Sequence, residues 1–175
     1  MRKKSFDLKD TIRDIQDFPK KGIVFKDITT LIGQGEPFHH AIDQIAAYFQ
    51  NKGIQKVVGI ESRGFIIGAP LAYKLKAGLV PIRKKGKLPY KTISATYQLE
   101  YGTDTLEMHE DAFTAGENVL LVDDLLATGG TMSATIDLVN RLGGKIVGLG
   151  FIIELGFLNG RDKLKGHDIF SLIKY

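Results

Sequence analysis

Asp123 and Asp124 directly follow the apolar run Val119-Leu120-Leu121-Val122, and Ala127-Thr128-Gly129-Gly130-Thr131 comes three residues after them. The apolar run is continuous and unalternating, as in a strand covered on both faces. The residues beyond Gly130 restore helical periodicity, so the segment reads as strand, acid pair, glycine turn and helix. In an open parallel sheet, ligands bind beyond the carboxyl ends of the strands. Glycines there let the backbone approach a ligand closely. Their N–H groups, the helix N-terminus and the Thr128 and Thr131 hydroxyls then form a cradle for a phosphate monoester. Two carboxylates would repel a phosphate placed on them, but beside the cradle they can accept hydrogen bonds from a ribose diol. The joined pattern therefore asks for a sugar phosphate. A solvated Asp-Asp turn with a Gly-Gly hinge is the competing reading, and it would be preferred for either piece alone.

The densest basic block is Arg83-Lys84-Lys85-Gly86-Lys87. It suits either a solvated surface run or a site for a small, highly charged anion. The net charge of +4 is spread along the chain, which does not favour a nucleic-acid surface. His39, His40, His109 and His167 are scattered, and no metal-ligand spacing is present, so no direct protein-built metal site is expected. The chain has no cysteine, which excludes disulfides, thiolate metal sites and cysteine nucleophiles. It also has no apolar run long enough for a membrane-spanning helix, and its basic start lacks the apolar segment of a secretory signal. A cytoplasmic location is the expectation.

The elements that must position these groups follow from periodicity. Leu8, Ile12 and Ile15 predict a short amphipathic N-terminal helix ended by Phe18-Pro19. Phe38, Ile42, Ile45, Ala46 and Phe49 predict a helix closed by Lys52-Gly53. Val57–Ile60, Leu79–Ile82, Val119–Val122 and Ile146–Ile153 read as buried strands. Between them lie a helix from about Gly64 to Lys76, which contains Pro70, and one with Met132, Thr135, Ile136, Val139 and Leu142 on one face, capped by Gly143-Gly144. This alternation predicts an α/β fold with a central, mostly parallel sheet flanked by helices. With 43% apolar and 25% charged residues and no linker or repeat, a single domain over residues 1–175 is expected. Residues 86–105 interrupt the rhythm; they read as a functional loop, part of it a β-hairpin arm around Ile93-Ser94-Ala95-Thr96-Tyr97.

The segment from Val119 to Thr131 resembles the signature of the type I phosphoribosyltransferases. Four other blocks resemble the adenine-specific branch of that family, in the family's order: Phe18-Pro19-Lys20-Lys21-Gly22-Ile23-Val24-Phe25-Lys26-Asp27-Ile28, Glu61-Ser62-Arg63-Gly64-Phe65, Arg83-Lys84-Lys85-Gly86-Lys87-Leu88-Pro89 and Tyr97-Gln98-Leu99-Glu100-Tyr101-Gly102. The resemblance covers Ser5 to Tyr175 and implies a type I phosphoribosyltransferase fold. In it, residues 1–35 would contribute to a small base-binding hood and about 86–105 would form a flexible loop.

The implied reaction joins adenine to phosphoribosyl pyrophosphate, giving AMP and pyrophosphate, with Mg²⁺ held through substrate oxygens and water. The implied roles are as follows. Asp123 and Asp124 hold the diol and stabilise the ribose cation, and Ala127, Thr128, Gly129, Gly130 and Thr131 hold the phosphate. Glu61, Ser62, Arg63, Arg83, Lys84 and Lys87 form the pyrophosphate site, with a Glu61–Ser62 peptide that is cis in the family's loop. Val24, Phe25 and Lys26, with Leu125, receive the base. Lys26 stands where the family commonly has Arg, but the implied contact is through the main chain. Glu100 and Tyr101 act from the loop, where Glu100 manages a purine proton and closure excludes water. A homodimer is implied, because the basic segment often reaches the site from the neighbouring subunit.

Other base specificities and other classes are weaker readings. A 6-oxopurine enzyme would be expected to place a lysine or similar donor at the base's oxygen, and none is evident. A regulator that senses phosphoribosyl pyrophosphate would need a DNA-binding module, and the roughly fifty residues before the first predicted sheet strand carry no helix-turn-helix pattern. A diphosphokinase-type homologue would be longer and carry an ATP site.

Overall fold

A computed structural model describes residues 7–98 and 102–175, in two units that are compact in themselves, with the boundary between Gln44 and Ile45.

In the first unit, a 3-10 turn over Leu8–Thr11 leads into strand β1 (Arg13–Gln16), which pairs antiparallel with β2 (Val24–Asp27). The predicted amphipathic helix is therefore replaced by a turn and a strand. Ile12 caps the turn in extended conformation, and the chain continues as β1 because Ile15 is paired with Phe25. Tertiary strand pairing has overridden a three-residue helical period. A short helix α1 (Thr29–Ile32) follows, and α2 (Gly35–Phe49) contains the boundary between the units.

The second unit is built on a seven-stranded sheet. Its strands are β3 (Lys56–Ile60), β4 (Gly78–Lys84), β5 (Thr92–Gln98), β6 (Thr103–His109), β7 (Asn118–Leu126), β8 (Lys145–Glu154) and β9 (Ile169–Lys174). Their order across the sheet is β5-β6-β4-β3-β7-β8-β9. The run from β4 through β3, β7 and β8 to β9 is parallel, and β6 and β5 add an antiparallel edge. Helix α3 (Arg63–Leu75) connects β3 to β4, and α4 (Gly130–Arg141) connects β7 to β8. These are the crossover connections that parallel strands require.

The helices cover opposite faces of the sheet. Gly68 of α3 brings that helix close to Leu79 and Val122, whereas Met132, Leu138 and Val139 of α4 pack with Val58, Ile60, Val119 and Leu121. This explains why β3 and β7 are apolar without alternation. Pro70 is accommodated inside α3, which ends at Lys76 in the left-handed conformation. One strand extends further than the apolar run predicts: β7 continues to Leu126 rather than ending at Val122, so both aspartates are strand residues. β9 is an additional strand that the sequence pattern does not predict. The hairpin expected near Ile93 is β5 with β6, paired from Thr92↔His109 to Gln98↔Thr103.

Candidate active site

The end of β7 and the start of α4 line a cleft of about 360 Å³. Residues 123–131 line it, together with Glu61, Arg63, Lys84, Tyr97 and Asp104 and the apolar Leu106, Met132 and Phe151. The sugar-phosphate pattern and part of the basic pattern therefore share one concavity.

The phosphate cradle has the expected backbone. Gly129 takes φ +78°, a conformation that favours glycine, and stands immediately before α4; its carbonyl accepts the Ser133 amide at 2.9 Å. The turn thus directs the start of a twelve-residue helix at the cleft, the geometry that favours an anion.

The acid pair is unequal. Asp124 is 5% exposed and accepts a bond from Arg63 Nε at 2.6 Å. Asp123 Oδ1 accepts the Asp124 amide at 2.9 Å. Burial pushes the Asp123 carboxyl well above the usual range, the neighbouring Asp124 charge pushes it further, and Arg63 opposes the shift. Two carboxylates this close disfavour double ionisation, so the pair tends to keep a proton on Asp123. A neutral acid beside an ionised one can both donate to and accept from a vicinal diol.

The predicted pyrophosphate residues divide into two groups. Arg63 and Lys84 face the cleft. Arg83 is turned to Glu61, with Nε–Oε2 at 3.2 Å and Nη2–Oε1 at 3.3 Å, and to the Lys87 carbonyl at 3.2 Å. Glu61 also accepts the Lys84 amide at 3.0 Å. That bond, opposed by burial and aided by Arg83, holds its carboxyl below the usual range. Glu61 therefore fastens the backbone that carries the cations. Ser62 precedes α3, and the Glu61–Ser62 peptide is cis.

Val24, Phe25 and Lys26 lie on β2 in the N-terminal unit. Phe25 meets Phe18 edge-on at 5.1 Å, and Lys26 Nζ bonds Asp14 at 2.7 Å. Leu125 lines the cleft in the second unit. Glu100 and Tyr101 lie outside the described residues.

Two contributors were not assigned a role from the sequence. Asp104 on β6 takes Lys84 Nζ at 3.2 Å, and the Tyr97 hydroxyl on β5 donates to Asp104 Oδ2 at 3.5 Å. The hairpin register, which pairs Tyr97 with Asp104, would have brought them together.

The sequence profile of the phosphoribosyl transferase domain family matches residues 32–169. The chain is 60% identical over 169 residues to the adenine phosphoribosyltransferase of Symbiobacterium thermophilum, covering 97% of this chain and 99% of that one. The crystal structure of adenine phosphoribosyltransferase from Thermoanaerobacter pseudethanolicus superposes with a TM-score of 0.93 at 52% identity, covering 96% of this chain and 98% of the other. The Saccharomyces cerevisiae enzyme, crystallised with an imino-altritol bisphosphate and adenine, superposes with a TM-score of 0.89 at 40% identity over 94% of this chain and 96% of that one. With its acid pair, glycine cradle and cations gathered in one cleft, and with likeness of this extent, the chain belongs to the phosphoribosyltransferase family, in its adenine branch.

Proposed function

We propose that the chain transfers the 5-phosphoribosyl group of phosphoribosyl pyrophosphate to N9 of adenine, giving AMP and pyrophosphate in purine salvage. The observation that carries this reading is that one cleft gathers the Thr128–Thr131 cradle, the acid pair Asp123 and Asp124, and the cations Arg63 and Lys84. These are the groups that phosphate, diol and leaving group each require.

In the mechanism, the cradle holds the 5-phosphate and so fixes the ribose ring. The acid pair takes the diol. As the bond from C1 to pyrophosphate lengthens, positive charge grows on the ring a short distance from Asp124, which stabilises it in a site partly shielded from water. Arg63, already oriented by Asp124, and Lys84 receive the charge that leaves on pyrophosphate. Val24, Phe25, Lys26 and Leu125 are assigned to the base, and Glu100 with Tyr101 to the loop that closes over it.

The donor set fits Mg²⁺ bound through substrate oxygens and water, since the acid pair beside the cleft can hold metal-bound water. When bound, the ion would neutralise pyrophosphate charge. The reading includes a homodimer, for which exposed Ile66 and Tyr73 on α3 offer apolar surface, and a cytoplasmic location. No helix among the described residues is long and apolar enough to cross a membrane.

The test is to incubate the protein with phosphoribosyl pyrophosphate, Mg²⁺ and each purine base separately, and to follow nucleotide formation. AMP from adenine is the expected product. Nucleotide from hypoxanthine or guanine with none from adenine would overturn the base assignment.

A further inference from the structure

Behind the phosphate cradle lies a segment that the reaction does not use. After β8, two 3-10 turns run over Gly156–Leu158 and Gly160–Leu164. The Leu155 amide bonds the Leu126 carbonyl at 2.9 Å, which ties the start of this segment to the end of β7. Gly160 then sits against the cradle turn from both sides. A methyl group on Gly129 would stand 2.5 Å from the Gly160 carbonyl oxygen, and one on Gly160 would overlap the Ala127 carbonyl oxygen and stand 3.0 Å from Leu126 Cδ1. Gly160 is not in a positive-φ conformation, so what requires glycine there is the absence of a side chain. The two glycines allow the backbones to touch.

The next residue locks this contact. Arg161 forks onto Glu154, with Nε–Oε1 at 2.6 Å and Nη2–Oε2 at 2.7 Å. Glu154 is 6% exposed at the end of β8. Arg161 first of all, opposed by burial and aided by Ser171 and Lys174, holds the Glu154 carboxyl below its usual range. The pair is bidentate, a geometry that fixes direction as well as distance. Leu164, 1% exposed, anchors the far end of the turn in the core that also holds Leu126 and Met132.

We infer that the Asn159–Arg161 turn, held by the Glu154–Arg161 ion pair, is the positioning element of the 5-phosphate cradle: it sets the backbone of Ala127–Gly129 from behind and so tunes affinity for the phosphoribosyl substrate. Gly160 and Arg161 are positioning residues; they act through the cradle and not on substrate. The inference rests on the assignment of residues 127–131 to the phosphate.

The test compares Gly160→Ala, Arg161→Met and Arg161→Lys with Thr128→Ala, a change in the cradle itself. The readouts are the dissociation constant of ribose 5-phosphate by calorimetry, the KM values of phosphoribosyl pyrophosphate and adenine, and the melting temperature. A displaced binding backbone can cost up to about a hundred-fold. Gly160→Ala is expected to weaken ribose 5-phosphate roughly ten-fold and raise the phosphoribosyl pyrophosphate KM in parallel, with the adenine KM within about two-fold of the parent. Arg161→Met is expected to act in the same direction and Arg161→Lys to recover part of the loss. Arg161→Met leaves the backbone untouched, so it keeps the test open should Gly160→Ala not fold. If Thr128→Ala weakens ribose 5-phosphate while folded Gly160 and Arg161 variants leave it unchanged, the inference falls and the cradle stands. If Thr128→Ala also has no effect, the cradle assignment fails and takes the inference with it. Equal losses for both substrates, tracking the melting temperature, would reduce the turn to a structural element and overturn the positioning role.

Discussion

Lys84 Nζ lies 3.2 Å from Asp104 Oδ2, so a cation that the basic run offers to pyrophosphate is engaged by a carboxylate of the hairpin. Asp104 raises the Lys84 pKa. Burial pushes the Asp104 carboxyl up, but the Thr105 amide and Lys84 outweigh it and hold the group below its usual range. Both partners are therefore ionised near neutrality. Pyrophosphate must compete with Asp104 for Lys84, and it meets the carboxylate's repulsion as well.

Asp104→Asn is accordingly expected to tighten pyrophosphate binding. Lys84 is more than half exposed, which limits the pair to about 0.2–1 kcal/mol, or up to about five-fold in the dissociation constant. Product-inhibition constants for pyrophosphate would register the change. Weaker inhibition in the variant would mean that Asp104 orients Lys84 for the ligand and does not compete for it.

The acid pair predicts opposite effects on stability and turnover. Burial raises the Asp123 pKa above its unfolded value of 3.8. A raised carboxyl contributes its stability below 3.8 and loses it as pH rises through the folded value. Asp123→Asn removes that loss, so its melting temperature should match the parent at low pH and exceed it near pH 7.5. Turnover should fall by at least about a hundred-fold, as for loss of a preorganised electrostatic group. The double change Asp123→Asn with Asp124→Asn should abolish turnover while the fold survives. Melting curves across pH, beside steady-state rates, check both; retained activity would remove the acids from the mechanism.

How far the sequence carried the reading depends on the range of the interactions. β3, β7 and α4 were legible because apolar runs and helical periods are local signals, and the Asp123–Thr131 motif sits at their junction. β1 was misread because Ile12 and Ile15 fit a helical spacing while the strand depends on Phe25, a partner ten residues beyond Ile15. The acids were placed after the strand because polar residues normally end an apolar run; instead β7 stays paired with β8 to Leu126↔Glu154. The Gly160 contact joins backbones more than thirty residues apart and uses a residue with no side chain, so no composition or spacing announces it. The basic run announces Arg83 as a cation, but its carboxylate partner Glu61 becomes visible only once β3 and β4 are set side by side.

Phe49 and Gly148 predict a steric coupling. Phe49, fully buried, lies against β8 where Gly148 and Gly150 leave room for its ring, and a methyl on Gly148 would overlap the ring edge. Gly148→Ala should destabilise by about 1–3 kcal/mol, the usual cost of overpacking. Phe49→Leu alone should also destabilise, through the cavity it leaves. The double variant should be more stable than the sum of the two losses implies, because the smaller side chain makes space for the methyl. Denaturant midpoints for the four proteins check this; simple additivity would mean that β8 shifts away from the ring.

The N-terminal unit carries its own pH signature. Arg13 grips Asp27 with Nη2–Oδ2 at 2.5 Å and Nε–Oδ2 at 3.1 Å, and Thr29 adds its amide and hydroxyl to the same carboxyl. The Arg13 bond first, opposed by burial and helped by Thr29, lowers the Asp27 pKa to about 2. A depressed carboxyl contributes stability above its unfolded value of 3.8 and loses it as pH falls toward about 2. The β1–β2 pairing should therefore hold to pH 4 and weaken below it. Asp27→Asn should weaken it at neutral pH, leaving little further change on acidification. Arg13 is 57% exposed, so the discounted effect is about 1 kcal/mol. Amide hydrogen exchange across residues 13–16 and 24–27 measures it directly. Equal protection in parent and Asp27→Asn at pH 7 would show that strand pairing and not the ion pair holds β1 in place.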